Sequence, residues 1–369
     1  MRRMEPDFEG TVGRTIGDSI PHWPEAITAP AGTPNVIFVV FDDVGFSDFG
    51  CYGSEIDTPT IDALATRGLR YTNFHTTGLC SATRACLLTG RNHHRVGMGT
   101  LSDWDMGFPG SRGRVSPAAA TLAEMFGPEG WNTFAVGKWH LSPMRETTGA
   151  GPYDTWPVQR GFDRFYGFFD GETNHWQPEL TADNHRISVP AAAHNRDRYH
   201  LTEDLVDQAI SMIRDQKSVA PAKPFFMNLA LDACHAPHQV HERYIEKYLD
   251  RFADGYDVVR QRRLERQIKM GVVPAGTTLT DRHRSVKPWA DLHEDRRTTF
   301  VRLQAAYAGM LDHADEQLSR LVGFLESVGQ MENTLVFVLS DNGASQEGSR
   351  QRRSEPGRHG PGRDRVPQQ

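Results

Sequence analysis

Hydrophobic positions along the chain follow two alternating rhythms. Asn35-Val-Ile-Phe-Val-Val-Phe41 is a continuous, β-branched run, the pattern of a strand buried on both faces. Residues 133–136, closed by Gly137, residues 224–231 and residues 334–339 repeat that pattern. Between these runs the apolar spacing turns helical: residues 60–67 behind the start signal Asp57-Thr58-Pro59, residues 81–89, 121–126 and 205–213. A long helix is predicted over about residues 298–328, where Phe300, Leu303, Tyr307, Met310, Leu311, Ala314, Leu318, Leu321 and Leu325 recur at helical spacing. Residues 149–178, rich in Gly and aromatics, read as loops. Strands alternating with helices predict an α/β domain over residues 35–345 with a mostly parallel central sheet flanked by helices.

The flanks are different in character. Pro21, Pro24, Pro30 and Pro34 predict an extended arm over residues 1–34, which Trp23 could pin to the body. Residues 242–297 are dense in charge and read as an exposed, partly helical insertion. Residues 346–369 hold no aromatic residue and one branched aliphatic, Val366, so a disordered Arg/Gly/Pro-rich tail is expected; a nucleic-acid-binding tail is the sharper but weaker reading.

Composition narrows the function classes. The longest apolar run spans six residues, too short for a bilayer, so no membrane association is expected. The formal net charge is −6, although residues 346–369 carry six Arg against three acidic residues. An acidic body argues against nucleic acid as a partner and leaves room for a local basic pocket around one small anion. Four cysteines in 369 residues do not make a disulfide scaffold. No secretory signal is readable at the start of the chain, and a cytoplasmic protein is expected.

Ligands of parallel sheets gather beyond the carboxyl ends of the strands, and here each long strand leads into chemistry. The first ends in Asp42-Asp43, the second in Gly137-Lys138-Trp139-His140, the third in Asp232-Ala-Cys-His235, the fourth in Ser340-Asp341-Asn342-Gly343. Asp42, Asp43, Asp341 and Asn342 then offer oxygen ligands from two strand ends. Three carboxylates together repel one another unless a cation lies between them. Oxygen donors suit Ca²⁺ or Mg²⁺ rather than zinc. Each Asp taken singly has a plain alternative as a helix cap or turn residue. His140 and His235 could each be satisfied structural histidines, and Lys138 a solvated charge.

Cys80 stands where a loop becomes a helix, facing unpaired N–H groups and the positive helix end. That setting favours anion binding and predicts a depressed thiol pKa. Arg84 lies one turn further on the same face, in reach of an oxyanion. The plain alternative is a small buried Cys, the reading preferred for Cys51, Cys86 and Cys234.

The segment Cys80-Ser-Ala82-Thr-Arg84-Ala-Cys-Leu87-Leu-Thr89-Gly90 resembles the signature of the type I, formylglycine-dependent sulfatases: Cys-x-Pro/Ala-x-Arg followed by Leu-x-Thr-Gly. Asp42-Asp43, Gly137 to His140, His235 in Cys-His-Ala-Pro-His, and Ser340 to Gly343 fall in that family's order. The resemblance covers about residues 35–345 and is nearest to the bacterial arylsulfatases of the alkaline phosphatase-like superfamily.

The resemblance implies that Cys80 is oxidised to formylglycine by a formylglycine-generating enzyme. One hydroxyl of its hydrate would attack a small-molecule sulfate ester, and the second would later expel sulfate. It implies Ca²⁺, less readily Mg²⁺, held by Asp42, Asp43, Asp341, Asn342 and residue 80. Arg84 would orient the diol, Lys138 and His235 would contact the sulfate, and His140 would serve the diol as partner or base. The family continues beyond the Asp-Asn-Gly motif, so a truncated or frame-shifted chain is expected, lacking a C-terminal portion and exposing a sheet edge. A phosphonate or phosphate ester hydrolase of the same superfamily, and a catalytically silent fragment, are the alternatives.

Overall fold

The β-branched runs do form strands, and pairing them places the predicted chemistry. The structure, a computed structural model, describes residues 7–190 and 199–345. The expected tail lies outside the described residues. Strands β1 (Asn35–Phe41), β2 (Asn132–Lys138), β3 (Arg164–Phe168), β4 (Leu180–Ala182), β5 (His185–Ile187), β6 (Phe225–Ala230) and β7 (Thr334–Ser340) form one sheet in the order β5-β4-β3-β2-β6-β1-β7. From β3 to β7 all neighbours are parallel; β3–β4 and β4–β5 are antiparallel. The carboxyl ends of β2, β6, β1 and β7 therefore open on one edge.

Helices cover both faces. On one face α1 (Pro59–Arg67), α4 (Leu201–Val219), α5 (Glu242–Phe252) and α7 (Glu294–Ser327) bury their apolar stripes against Ile37, Val39, Met227 and Leu229. On the other, α2 (Cys80–Thr89) and α3 (Leu122–Phe126) pack with Trp131, Trp139, Trp156 and Phe165. The short α3 is held by a capping box, in which Thr121 accepts from the Glu124 N–H and Glu124 accepts from the Thr121 N–H.

Several expectations need correction. Strand β2 does not stop at Gly137 but runs through Lys138, because Gly137 pairs with both Ala230 and Gly167. The stretch 149–178 contains β3, whose Phe165, Tyr166 and Phe168 are buried aromatics rather than loop residues. Helix α5 lies inside the region expected to be an exposed insertion, yet Tyr244, Ile245, Tyr248 and Phe252 form a buried face against α7. Helix α6 (Gly255–Lys269) fits the expected polar character better, with three buried residues. Trp23 does not pin the arm, since it is 78% exposed. Among the described residues β7 is the last strand of the sheet, with Leu335 and Phe337 exposed.

Candidate active site

The site begins with strand register. Phe41 pairs with Ser340, so Asp42 and Asp341 follow side by side, and the Asp341 N–H donates to the Phe41 carbonyl (3.0 Å). Strand β2 adds Lys138. Past its end, the Trp139 and His140 N–H groups donate to the Phe168 and Phe169 carbonyls (2.9 and 3.2 Å), holding His140 at the same edge. Helix α2 enters from its N-terminus, where Cys80 is the first residue and Arg84 lies one turn in.

Arg84 ties the edge together. Its Nε donates to Asp341 Oδ2 (2.8 Å), its Nη1 donates to the Lys138 carbonyl (3.0 Å), and its Nη2 lies 3.5 Å from Asp42 Oδ2. Lys138 Nζ donates to Asp42 Oδ2 and to the Gly171 carbonyl. Cys80 Sγ lies 3.1 Å from His140 Nδ1. Asp42, Arg84, Lys138, His140 and Asp341 are all buried.

Buried charge sets the proton affinities. Burial pushes Asp341 up, and neighbouring Asp42 adds to it, so its carboxyl reaches about 7 despite Arg84 and Lys138. Asp43 is pushed up to about 6 by burial and by Asp42. Asp42 is also buried, but Lys138, Arg84 and His235 outweigh that and hold it below the usual carboxylate range. Burial opposes the Lys138 ammonium, yet Asp42 outweighs it and keeps Lys138 charged. The depressed thiol expected at Cys80 is not found. Burial, with Asp42 and Asp341 nearby, pushes it up to about 11 against the pull of Lys138 and Arg84.

Three carboxylates face two permanent cations, and the orphaned atoms point to a further positive charge. Asp42 Oδ1 and Asp341 Oδ1 are buried without a hydrogen-bond partner. One ligand atom each from Asp42, Cys80 and Asp341 lies within 4.8 Å of the others. Buried carboxylate oxygens left unpaired are costly unless an ion claims them, so these residues fit a hard divalent cation.

Asp43 is not one of this trio. Its Oδ1 accepts from Asn342 Nδ2 (2.5 Å) and its Oδ2 lies 3.9 Å from His235 Nε2. His235 Nδ1 also lies 2.7 Å from the Ala236 carbonyl and 3.8 Å from Glu172 Oε2. All nine expected residues thus reach one sheet edge.

Other residues join them without having been expected. Asp103 Oδ2 lies 3.4 Å from His140 Nε2. Tyr307 Oη donates to Asp48 Oδ2 (2.8 Å), lies 3.1 Å from the Asp43 carbonyl oxygen, and so links α7 to the loop after β1. Asp103 and Gly171 sit in stretches without periodicity and gave no local signal. Tyr307 was readable as a helix-face residue, but its hydroxyl partner was not.

Comparison with known proteins bears on this geometry. The family model described as Sulfatase matches residues 34–368, running beyond the residue 345 at which the motif-based resemblance ends. An uncharacterized sulfatase of Schizosaccharomyces pombe is 33% identical over 341 residues, covering 87% of this chain and 59% of its own. The arylsulfatase of Klebsiella aerogenes is 31% identical over 326 residues, covering 85% and 66%. The chain thus spans about three fifths to two thirds of the length of these relatives. Among solved structures, a sulfatase candidate from Bacteroides fragilis superposes with a TM-score of 0.62 at 21% identity, covering 86% of this chain and 63% of that one. That likeness bears on the fold, which is alkaline phosphatase-like. With the family model matching most of this chain and two relatives above 30% identity, the chain belongs to the sulfatase family.

Proposed function

We propose that the protein hydrolyses sulfate esters, aryl sulfates foremost, to an alcohol or phenol and sulfate. Family membership implies a divalent cation and a formylglycine in general terms. The observation that carries the proposal for this chain is the buried Asp42–Cys80–Asp341 cluster, with two orphaned carboxylate oxygens and with Arg84 and Lys138 beside it.

The cation is assigned as Ca²⁺, with Asp42, Asp341 and the oxygen function of a modified residue 80 as ligands, and Asp43 and Asn342 completing the set. Oxygen donors support that choice. When bound, the cation polarises sulfate oxygens and the nucleophile. Cys80 is assigned as the residue that a formylglycine-generating enzyme oxidises; its sulfur here holds the place of the oxygen nucleophile. Arg84 fixes the two carboxylates relative to helix α2. Lys138 and His235 present positive or hydrogen-bonding groups to the sulfate and the leaving oxygen. His140 Nδ1, 3.1 Å from Cys80 Sγ, is within reach to take a proton from the group at position 80. Among the described residues no helix is long and apolar enough to cross a membrane. A cytoplasmic location is part of the same proposal.

Two measurements test the proposal. Mass spectrometry of the peptide bearing Cys80, from cells with the modifying enzyme, should show the aldehyde. Paired assays should show turnover of an aryl sulfate exceeding that of the matching phosphate. Unmodified thiol alone, or a preference for the phosphate, would overturn it.

A further inference from the structure

His140 lies between two partners, and they differ in what they can accept. A neutral imidazole carries one N–H and one bare nitrogen, and its neighbours decide which is which. On one side, 3.1 Å away, is the sulfur of Cys80; on the other, 3.4 Å away, is the carboxylate of Asp103. An ionised carboxylate only accepts, so the nitrogen facing it must carry the hydrogen. That nitrogen is Nε2, which leaves Nδ1 bare toward position 80.

The pairing is built rather than incidental. Asp103 comes from a loop, but the loop is anchored to the helix that carries Cys80: the Ser102 N–H donates to Ser81 Oγ (3.1 Å), and Ser102 is buried. The imidazole is confined as well. A Cβ added at Gly171 would lie 2.9 Å from His140 Cε1 and 3.2 Å from Nε2, so the backbone of residue 171 walls the ring. His140 itself is nearly fully buried, whereas the Asp103 side chain is 30% exposed. A carboxylate with access to water is therefore directed at an enclosed ring. The Cys80–His140–Asp103 arrangement has the logic of a nucleophile, a base and a group that orients the base.

We propose that Asp103 is a positioning residue for the reaction: it accepts the Nε2–H of His140, fixes that tautomer and aims the bare Nδ1 at the group carried by residue 80. This rests on the sulfatase reading above. Asp103 does not touch the sulfate; it acts through His140.

The test has two arms. On the unmodified chain, two-bond ¹H–¹⁵N correlation spectra report which nitrogen of each histidine is protonated, and the His140 signal is assigned by its loss in His140→Gln. The expected result is an Nε2–H tautomer in the parent and a shift of proton population toward Nδ1 in Asp103→Ala. On the modified enzyme, Asp103→Ala should lower kcat about 10- to 100-fold, a part of the ~10²–10⁴ contributed by a general base, with KM changed less than about threefold. An Nδ1–H tautomer in the parent overturns the proposal without recourse to any variant. A variant that keeps the parental tautomer, or keeps the parental kcat, overturns it too. If the modified chain turns over no sulfate ester, the sulfatase reading fails, and the tautomer arm alone decides the placement of Asp103.

Discussion

Arg84 is the residue on which the candidate site depends most. It pairs with Asp341 at 2.8 Å and with Asp42 at 3.5 Å, all three buried. Removing one partner of a buried ion pair leaves an uncompensated charge, at about 3–5 kcal/mol. Arg84→Ala should therefore lower stability by about that amount in urea unfolding, and lower kcat/KM for an aryl sulfate by at least ~100-fold. A fully stable variant would contradict the placement. Asp341 supports a second expectation. Its carboxyl sits near 7, so a proton competes with the cation below that pH. Cation binding favours the ionised form, so affinity should weaken as pH falls, by up to about tenfold per unit for the Asp341 proton and more steeply below pH 6, where Asp43 is protonated too. Calorimetric titration with Ca²⁺ at pH 8, 6.5 and 5.5 reads this directly; affinity independent of pH would contradict it. The motif residues were legible one by one, because Cys-x-Ala-x-Arg and the strand-end acids are local patterns. The proton affinity of Cys80 was not. The helix terminus argued for a low value, while burial beside Asp42 and Asp341 raises it, and burial is not a property of the segment.

Among the elements, β2 shows how closely the strands bring their chemistry together. Gly137 lies within it at φ +97°, and a Cβ there would stand 1.9 Å from the Ala230 carbonyl oxygen. The neighbouring residue is Lys138, so a side chain at 137 would push β2 from β6 just before the site. Gly137→Ala combines a left-handed backbone with overpacking, and should cost at least ~2 kcal/mol, read as a lowered urea midpoint or loss of soluble protein. Long strands and α7 were legible because their periodicity extends over many residues. Strands β4 and β5, three residues each, were not. Helix α5 was misread as exposed because its charges outnumber its apolar residues. Tyr244, Ile245, Tyr248 and Phe252 nonetheless share one face, and α7 supplies the surface that covers it.

For the whole molecule, the sheet order has a consequence at β7. This strand leads into Asp341 and Asn342 of the site, yet among the described residues it is the edge strand, with Leu335 51% and Phe337 49% exposed. Phe337 meets the half-buried Phe38 at a ring separation of 5.2 Å, and together with Leu335 they leave an apolar strip on that face. An apolar edge that no described residue covers invites pairing with another chain. Phe337→Lys should reduce concentration-dependent association in light scattering while leaving the Ca²⁺-induced rise in melting temperature intact. Unchanged association would show that this edge is not the sticky surface.

The sequence alone determined the α/β class and the long strands and helices, and it singled out nine candidate residues at strand ends and a helix start. These follow from hydrophobic period, turn chemistry and local motifs, which act over a few residues. The tertiary structure decided which acids stand together, why Lys138 stays charged, how Arg84 spans two strands, and that a loop aspartate reaches His140. Those depend on strand register, burial and the mutual field of charges. Such quantities arise only when segments up to about three hundred positions apart come into contact, as Asp43 and Asn342 do.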